Sequence, residues 1–261
     1  MSPEEVENFF KELRKKLVEG FDLIDGVKVR RISKEDVEDL KFWLFPLPSE
    51  IRLSPNTFVL VKYNDKEERD FETAQIMQNI LLALRLLKRG YVSASYVFYI
   101  DASERRLIQW SWNEERRRET WGHGYALDVE EIPALQKLLR KIRNTDFTKQ
   151  RRLDLVCKRF QRGYEEVDPK DQLIDLMIAC EALFVRTEIA GSSQKHKIAN
   201  GCADLLGRSK REKEEIRRFM LKARSMRDLI VHGAEHKVED IEYFILKLED
   251  YLRESIKRFL S

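Results

Sequence analysis

Cysteine is scarce in this chain, and the little there is forms no metal-binding or redox pattern. Cys157, Cys180 and Cys202 lie more than twenty positions apart inside apolar helical stretches, with no Cys-x-x-Cys pair and no metal-ligand spacing. Buried reduced thiols are the expectation. No apolar run approaches the roughly 20 residues that a membrane-spanning helix needs. Met1-Ser2-Pro3-Glu4-Glu5 opens without an apolar signal core, so a soluble, cytoplasmic protein with no membrane partner is expected. Charge of one sign is missing as well: 49 Lys and Arg against 46 Asp and Glu leave a net +3. That balance is not the signature of a general nucleic-acid coat, so any polyanion site has to be local. Phosphate loops, dinucleotide-binding glycine patterns, internal repeats and low-complexity tracts are all absent, and no cofactor is expected.

What remains is a chain of 261 residues, 43% hydrophobic and 36% charged, enough to build a real core despite its charge. A length of this order suits one large domain or two ordinary ones. Two different textures point to the second option. Ser2-Pro3-Glu4-Glu5 reads as an N-cap, N1 proline and acidic first turn for a helix to about Gly20. Val27–Ile32 alternates like a strand, Ser33 with Asp36 starts a short helix to about Trp43, and prolines 46, 48 and 55 make residues 44–56 irregular. Thr57–Tyr63 has the β-branched and aromatic bias of a strand, expected to be central. A helix then runs from Phe71 to Arg89, stopped by Gly90, and strands follow around 92–100, 106–112 and 121–127. Pro133 starts a further helix to about Asn144. Residues 1–146 are therefore expected to be an α+β domain.

After Phe147 the pattern is helical throughout, near 148–163, 169–189, 194–206, 209–232 and 238–260. Asp168-Pro169 is an N-cap with an N1 proline, Ser209 with Glu212 a capping box, and Gly207 and Gly233 close the helices before them. Residues 147–261 are expected to form an all-α helical bundle with short connections.

The most informative spacing is at the end of the penultimate helix, in Arg227-Asp228-Leu229-Ile230-Val231-His232. At roughly 100° per residue, Asp228 and His232 share a face, whereas Arg227 and His232 diverge by roughly 140°. A carboxylate one turn before an imidazole can orient it for proton transfer. The competing reading makes Arg227 and Asp228 surface charges and His232 a helix-terminal residue bonding the last carbonyls. Spacing alone favours that second reading.

Sequence context adds weight to the first. Asp171-Gln-Leu-Ile-Asp-Leu-Met-Ile-Ala-Cys-Glu-Ala-Leu-Phe184, then Ser192-Ser-Gln-Lys-His-Lys-Ile-Ala199, then Met226-Arg-Asp-Leu-Ile-Val-His-Gly233 together resemble the HEPN superfamily, particularly its ApeA-like branch, over roughly residues 147–260. The superfamily motif is Arg, a polar residue, three further residues and His. Arg227, Asp228 and His232 match its defined positions, while Ser225-Met226 replaces the aromatic pattern that often precedes the Arg in that branch. The resemblance implies metal-independent cleavage of RNA by 2′-hydroxyl attack, leaving a 2′,3′-cyclic phosphate, in a homodimer whose two motifs face one cleft. It makes His232 the general acid or base, Arg227 the phosphate ligand and Asp228 an orienting residue. Phage defence or toxin-like growth arrest would be the setting. A non-catalytic nucleotide-binding or protein-interaction module is the alternative.

Glu181 lies on an otherwise apolar helix face and needs a partner if buried, with Arg227 the expected one and an accessory role open. Lys195 and Lys197, flanking His196, could guide phosphate or simply form a solvated basic face. His232 and His236 have zinc-ligand spacing, but Gly233 breaks the helix between them and no third ligand is evident, so no metal is expected. Gly122-His123-Gly124 reads as a turn, and Trp43, Trp110, Trp112 and Trp121 as core residues rather than base-stacking ones.

Overall fold

A computed structural model describes residues 21–24, 27–31, 58–62, 70–90, 92, 96–101, 106–112, 125, 127–185, 194–233 and 240–260. The expected helices at 2–20 and 33–43, the irregular stretch 44–56, most of the strand near 121–127, the Gly122-His123-Gly124 turn, Trp43, Trp121 and His236 lie outside them. Among the described residues no helix is long and apolar enough to cross a membrane.

The described strands are β1 (Phe21–Ile24), β2 (Val27–Arg31), β3 (Phe58–Lys62), β4 (Tyr96–Asp101) and β5 (Arg106–Trp112). They pair antiparallel as β1-β2-β3 and, separately, β4-β5. Among the described strands, the one at 57–63, expected to be central, stands at the end of the order: β2 takes the middle, with Val29 opposite both Phe21 and Leu60. Helix α1 (Asp70–Leu87) lies between β3 and β4 in sequence, and Gly90 beyond it has φ 127°.

Contacts divide the chain into two units, and among the described residues the helical one gathers residues 79–90, Val92, Tyr125 and those from Lys137 onward. It therefore draws on chain well ahead of Phe147, where the bundle was expected to begin. Its helices are α2 (Ile132–Asn144, whose first residues belong to the other unit), α3 (Arg151–Glu165), α4 (Pro169–Phe184), α5 (Gln194–Leu206), α6 (Lys210–Val231) and α7 (Ile241–Phe259).

The starts of these helices follow from local chemistry. Asp168 caps α4 by accepting from the Lys170 N–H at 2.8 Å, with Pro169 at N1. Ser209 Oγ accepts from the Glu212 N–H at 3.1 Å, but the return bond of the Glu212 carboxylate goes to the Arg208 N–H at 2.8 Å rather than to Ser209. The expected close of α5 at Gly207 has a different origin from a left-handed cap, since positive φ among the described glycines occurs at Gly90 and Gly233. Gly207 is needed for space: a Cβ there would lie 2.8 Å from the Ala203 carbonyl oxygen and 3.0 Å from Lys213 Cα. Helix α4 ends at Phe184, ahead of the expected residue 189, with Val185 extended and its N–H bonded to the Glu181 carbonyl at 2.9 Å.

Helix α4 is the hub, packing against α3, α5, α6 and α7. Its Leu173, Leu176, Met177, Ala179 and Cys180 are buried, as suits a helix enclosed on several sides. Phe160, Ile198, Met220, Leu248 and Leu252 are buried on the helices packed against it. All three cysteines are free and buried. Burial pushes the Cys157 and Cys202 thiols up to about 12, and Cys180 also well above its ordinary value.

Charge inside the bundle is spent on fastening α1. The last carbonyls of a helix lack partners in the helix itself. Here Leu84 O accepts from the Tyr125 hydroxyl at 2.9 Å, and Arg85 O from Arg253 Nε at 2.9 Å. The fully buried Arg85 side chain reaches Glu165 at 3.0 Å and lies over the Tyr164 ring. Arg253 also donates to the Tyr164 hydroxyl at 2.9 Å and to Asp250 at 2.6 Å, and Asp250 in turn pairs with Arg89.

Candidate functional site

Two helices bring the candidate residues together. Helix α4 carries Glu181 one turn before its end. Helix α6 carries Arg224, Arg227 and Asp228 in its last two turns and ends on His232. The end of α4 is held from α3: Arg152 donates to the Ala182 carbonyl at 2.8 Å and to the Val185 carbonyl at 2.6 Å, satisfying oxygens that the helix leaves open. That clamp fixes the turn on which Glu181 stands.

Glu181 is ion-paired with Arg224, not with the expected Arg227. The reason lies in the buried stripe of α6. Ile216, Met220 and Ala223 face the core, and Arg224 borders that stripe one turn beyond Met220, where α4 passes. Arg227 stands a further turn along. Arg224 also reaches forward along its own helix, with Nε 3.2 Å from Asp228 Oδ1 and 3.3 Å from Oδ2. Asp228 Oδ1 accepts from Arg227 Nη1 at 3.1 Å as well. The result is a continuous string, Glu181–Arg224–Asp228–Arg227, of alternating and cancelling charge. Among the described residues Arg227 makes no other hydrogen bond, so its partly exposed guanidinium retains donor capacity, although its Nε itself is buried.

His232 is the C-cap of α6. Its backbone N–H donates to the Asp228 carbonyl at 3.0 Å. The chain then turns away through Gly233, at φ 74°, whose N–H donates to the Ile230 carbonyl at 3.0 Å. The expected side-chain pairing of Asp228 with the imidazole is not what the geometry provides. The Asp228 carboxylate is taken by two arginines, its link to His232 is through the backbone, and the His232 residue is exposed.

Lys195 is exposed and Lys197 partly so, both in the first turn of α5. Helix α5 is tied to α6 farther along, by Asn200 accepting from Arg217 at 2.9 Å and by Asp204 pairing with Lys213 at 3.0 Å. Among the described residues no group of three His, Cys, Asp or Glu side chains is placed to hold a metal ion.

Arg224 is the member of this cluster that the sequence reading passed over. Its signal was present: it stands four residues before Asp228, the spacing at which helix side chains meet, and Glu181 required a cation. Chemically, the arrangement offers a guanidinium with an unused donor and an exposed imidazole at the open end of one helix. Comparison with protein-family models, curated proteins and solved structures returns no match to this chain.

Proposed function

We propose that the helical part of this chain is a HEPN-like, metal-independent endoribonuclease with Arg227, Asp228 and His232 as its catalytic residues. The reading rests on the resemblance carried by the Arg-Asp-x-x-x-His stretch. What supports it is the state of Arg227: its guanidinium makes a single bond, to Asp228, and its side chain is partly exposed, leaving donors for a phosphodiester oxygen. In this reading the 2′-oxygen attacks phosphorus as its proton passes to a base, and the bond from phosphorus to the 5′-oxygen breaks as that oxygen takes up a proton. A 2′,3′-cyclic phosphate and a 5′-hydroxyl result. His232 supplies one of the two proton transfers, and Arg227 stabilises the charge growing on the phosphoryl oxygens.

Arg227 and His232 diverge around α6, so the active unit is a homodimer in which a second copy completes each cleft. Residues 1–146, read as an α+β domain, would sense or regulate, in phage defence or growth arrest within the cytoplasm. Purified protein is expected to cut single-stranded RNA in EDTA and leave cyclic-phosphate ends. His232→Ala should lower the rate at least about 100-fold; full activity in that variant would refute the assignment.

One observation favours a second reading, a non-catalytic nucleotide-binding or protein-interaction module. The string from Glu181 to Arg227 balances two carboxylates against two guanidinium groups, which is also what a purely structural helix contact requires. Tight binding of a nucleotide or protein without RNA turnover would select it.

A further inference from the structure

We propose that Arg224 is a positioning residue that holds the Asp228 carboxylate in place, so that Arg227 can exchange that carboxylate for a phosphodiester. The inference rests on the ribonuclease reading for its substrate class, and on contacts within this chain for everything else.

Asp228 has two arginine partners of unequal standing. Arg224 precedes it by four residues, so the two side chains lie on one face of α6 and their contact, at 3.2 and 3.3 Å, follows the run of the helix. Arg227 is its immediate neighbour, and adjacent helical residues point roughly 100° apart. The Arg227 bond, a single one at 3.1 Å to Oδ1, is made sideways. Arg224 is also anchored at its far side by Glu181 on α4, whose turn is clamped from α3 by Arg152. The Arg224 side chain is 15% exposed, that of Arg227 21% and that of Asp228 42%. Arg224 thus bridges two carboxylates, Glu181 and Asp228, whereas Arg227 is held by Asp228 alone.

An arriving phosphate competes with Asp228 for Arg227. A carboxylate that lost its only cation would resist the exchange, because an ion stripped of its partner in a partly dry site is costly. With Arg224 in place, Asp228 releases Arg227 and stays paired. Without Arg224, Asp228 has Arg227 alone and keeps it.

The test measures binding of a non-cleavable 2′-O-methyl oligonucleotide by fluorescence anisotropy, beside KM and kcat on the unmodified RNA. Arg224→Gln is expected to raise the oligonucleotide Kd and the KM together, about tenfold, with kcat within about threefold. The Arg224→Gln/Asp228→Asn double variant, in which nothing anionic competes for Arg227, is expected to recover most of the lost affinity. A merely structural Arg224 would leave the double variant no better than Arg224→Gln. Arg224→Lys keeps the charge but lacks the fork that bridges two carboxylates. It should fall between wild type and Arg224→Gln, and it serves for the same cycle if Arg224→Gln does not fold. Absence of rescue in either cycle, unchanged affinity in the single variants, or no oligonucleotide binding by the wild type would each overturn the proposal. Wild-type binding with the expected rescue but no RNA cleavage would refute the ribonuclease reading and leave the role of Arg224 standing.

Discussion

Replacing Arg253 by methionine tests how the helical unit is held together. The substitution keeps an unbranched apolar stem and removes the guanidinium. Three bonds go with it: to Arg85 O at 2.9 Å, to the Tyr164 hydroxyl at 2.9 Å and to Asp250 at 2.6 Å. The first two lie in the buried interior, and a bond involving a charged group contributes about 1.5–3 kcal/mol. The third counts for less, because Asp250 is one-third exposed and keeps Arg89 as a partner, so its loss belongs with surface pairs, at about 1 kcal/mol or below. Against these stands relief from holding a cation that is only 4% exposed, which takes back part of the total. A net loss of about 3 kcal/mol follows, equivalent to a fall in Tm of roughly 6–12 °C for a unit of this size. Thermal melting by circular dichroism reads the shift. Tyr164→Phe in the same background identifies its cause: because both substitutions break one shared bond, the double variant should lose less than the sum of the singles. A Tm within about 1 °C of wild type, or a rise, would show that apolar packing serves as well as the guanidinium and refute the reasoning.

Asp146 starts the turn into α3, accepting at Oδ1 from the Thr148 hydroxyl at 2.6 Å and from the Thr148 and Lys149 N–H groups. The Thr148 hydrogen bond, followed by Lys149, lowers its carboxyl pKa below the ordinary value. A depressed folded pKa gives stability that is present above the unfolded pKa and lost as pH falls through the folded one. Asp146→Asn should therefore melt earlier than wild type at pH 6, with the difference closing toward pH 3; a difference independent of pH would count against it. Gly233→Ala places a Cβ where nothing lies within 4 Å, at φ 74°, so the cost is conformational alone, about 1 kcal/mol. An unchanged melting curve would mean that the turn after His232 is not held at positive φ.

Much of the helical unit was legible because its punctuation is local. Asp168-Pro169 and Ser209 act through backbone groups two or three residues away, and α5 and α6 begin and end within a residue or so of where their apolar period places them. What escaped depends on how helices cross. Whether Glu181 meets Arg224 or Arg227 is decided by one turn of offset between α4 and α6, which no single-helix pattern encodes. Nothing in the pattern of their own helices marks Arg85 and Arg253 as interior residues; packing against Tyr164 and the end of α1 makes them so. Gly207 was read as a conformational stop, yet it is a clearance against Lys213, a residue of the next helix. The strand Phe58–Lys62 was recognisable by its residue types, but central against edge depends on neighbours supplied from elsewhere.

The same distinction separates the two ends of the candidate site. Arg227 and Asp228 sit inside a helix whose partner α4 is clamped by Arg152, and the Glu181–Arg224 pair ties the two helices together. Groups mounted on packed helices keep their geometry more precisely than groups on loops, so the fold itself sets where Arg227 and Asp228 stand. His232 is mounted differently: it is the C-cap just beyond α6, exposed, directly before the positive-φ turn at Gly233, and its carboxylate neighbour is committed to two arginines. No contact within the described residues of this chain orients an imidazole placed this way, so on the proposed reading its orientation would come from the docked RNA or a second copy. Under the proposed ribonuclease reading, proton transfer by His232 would then depend on assembly, while anion capture by Arg227 would not. Dilution below the dissociation constant of the proposed dimer should accordingly lower kcat per chain before it weakens binding of a non-cleavable oligonucleotide, and a parallel loss of both would refute that division of labour.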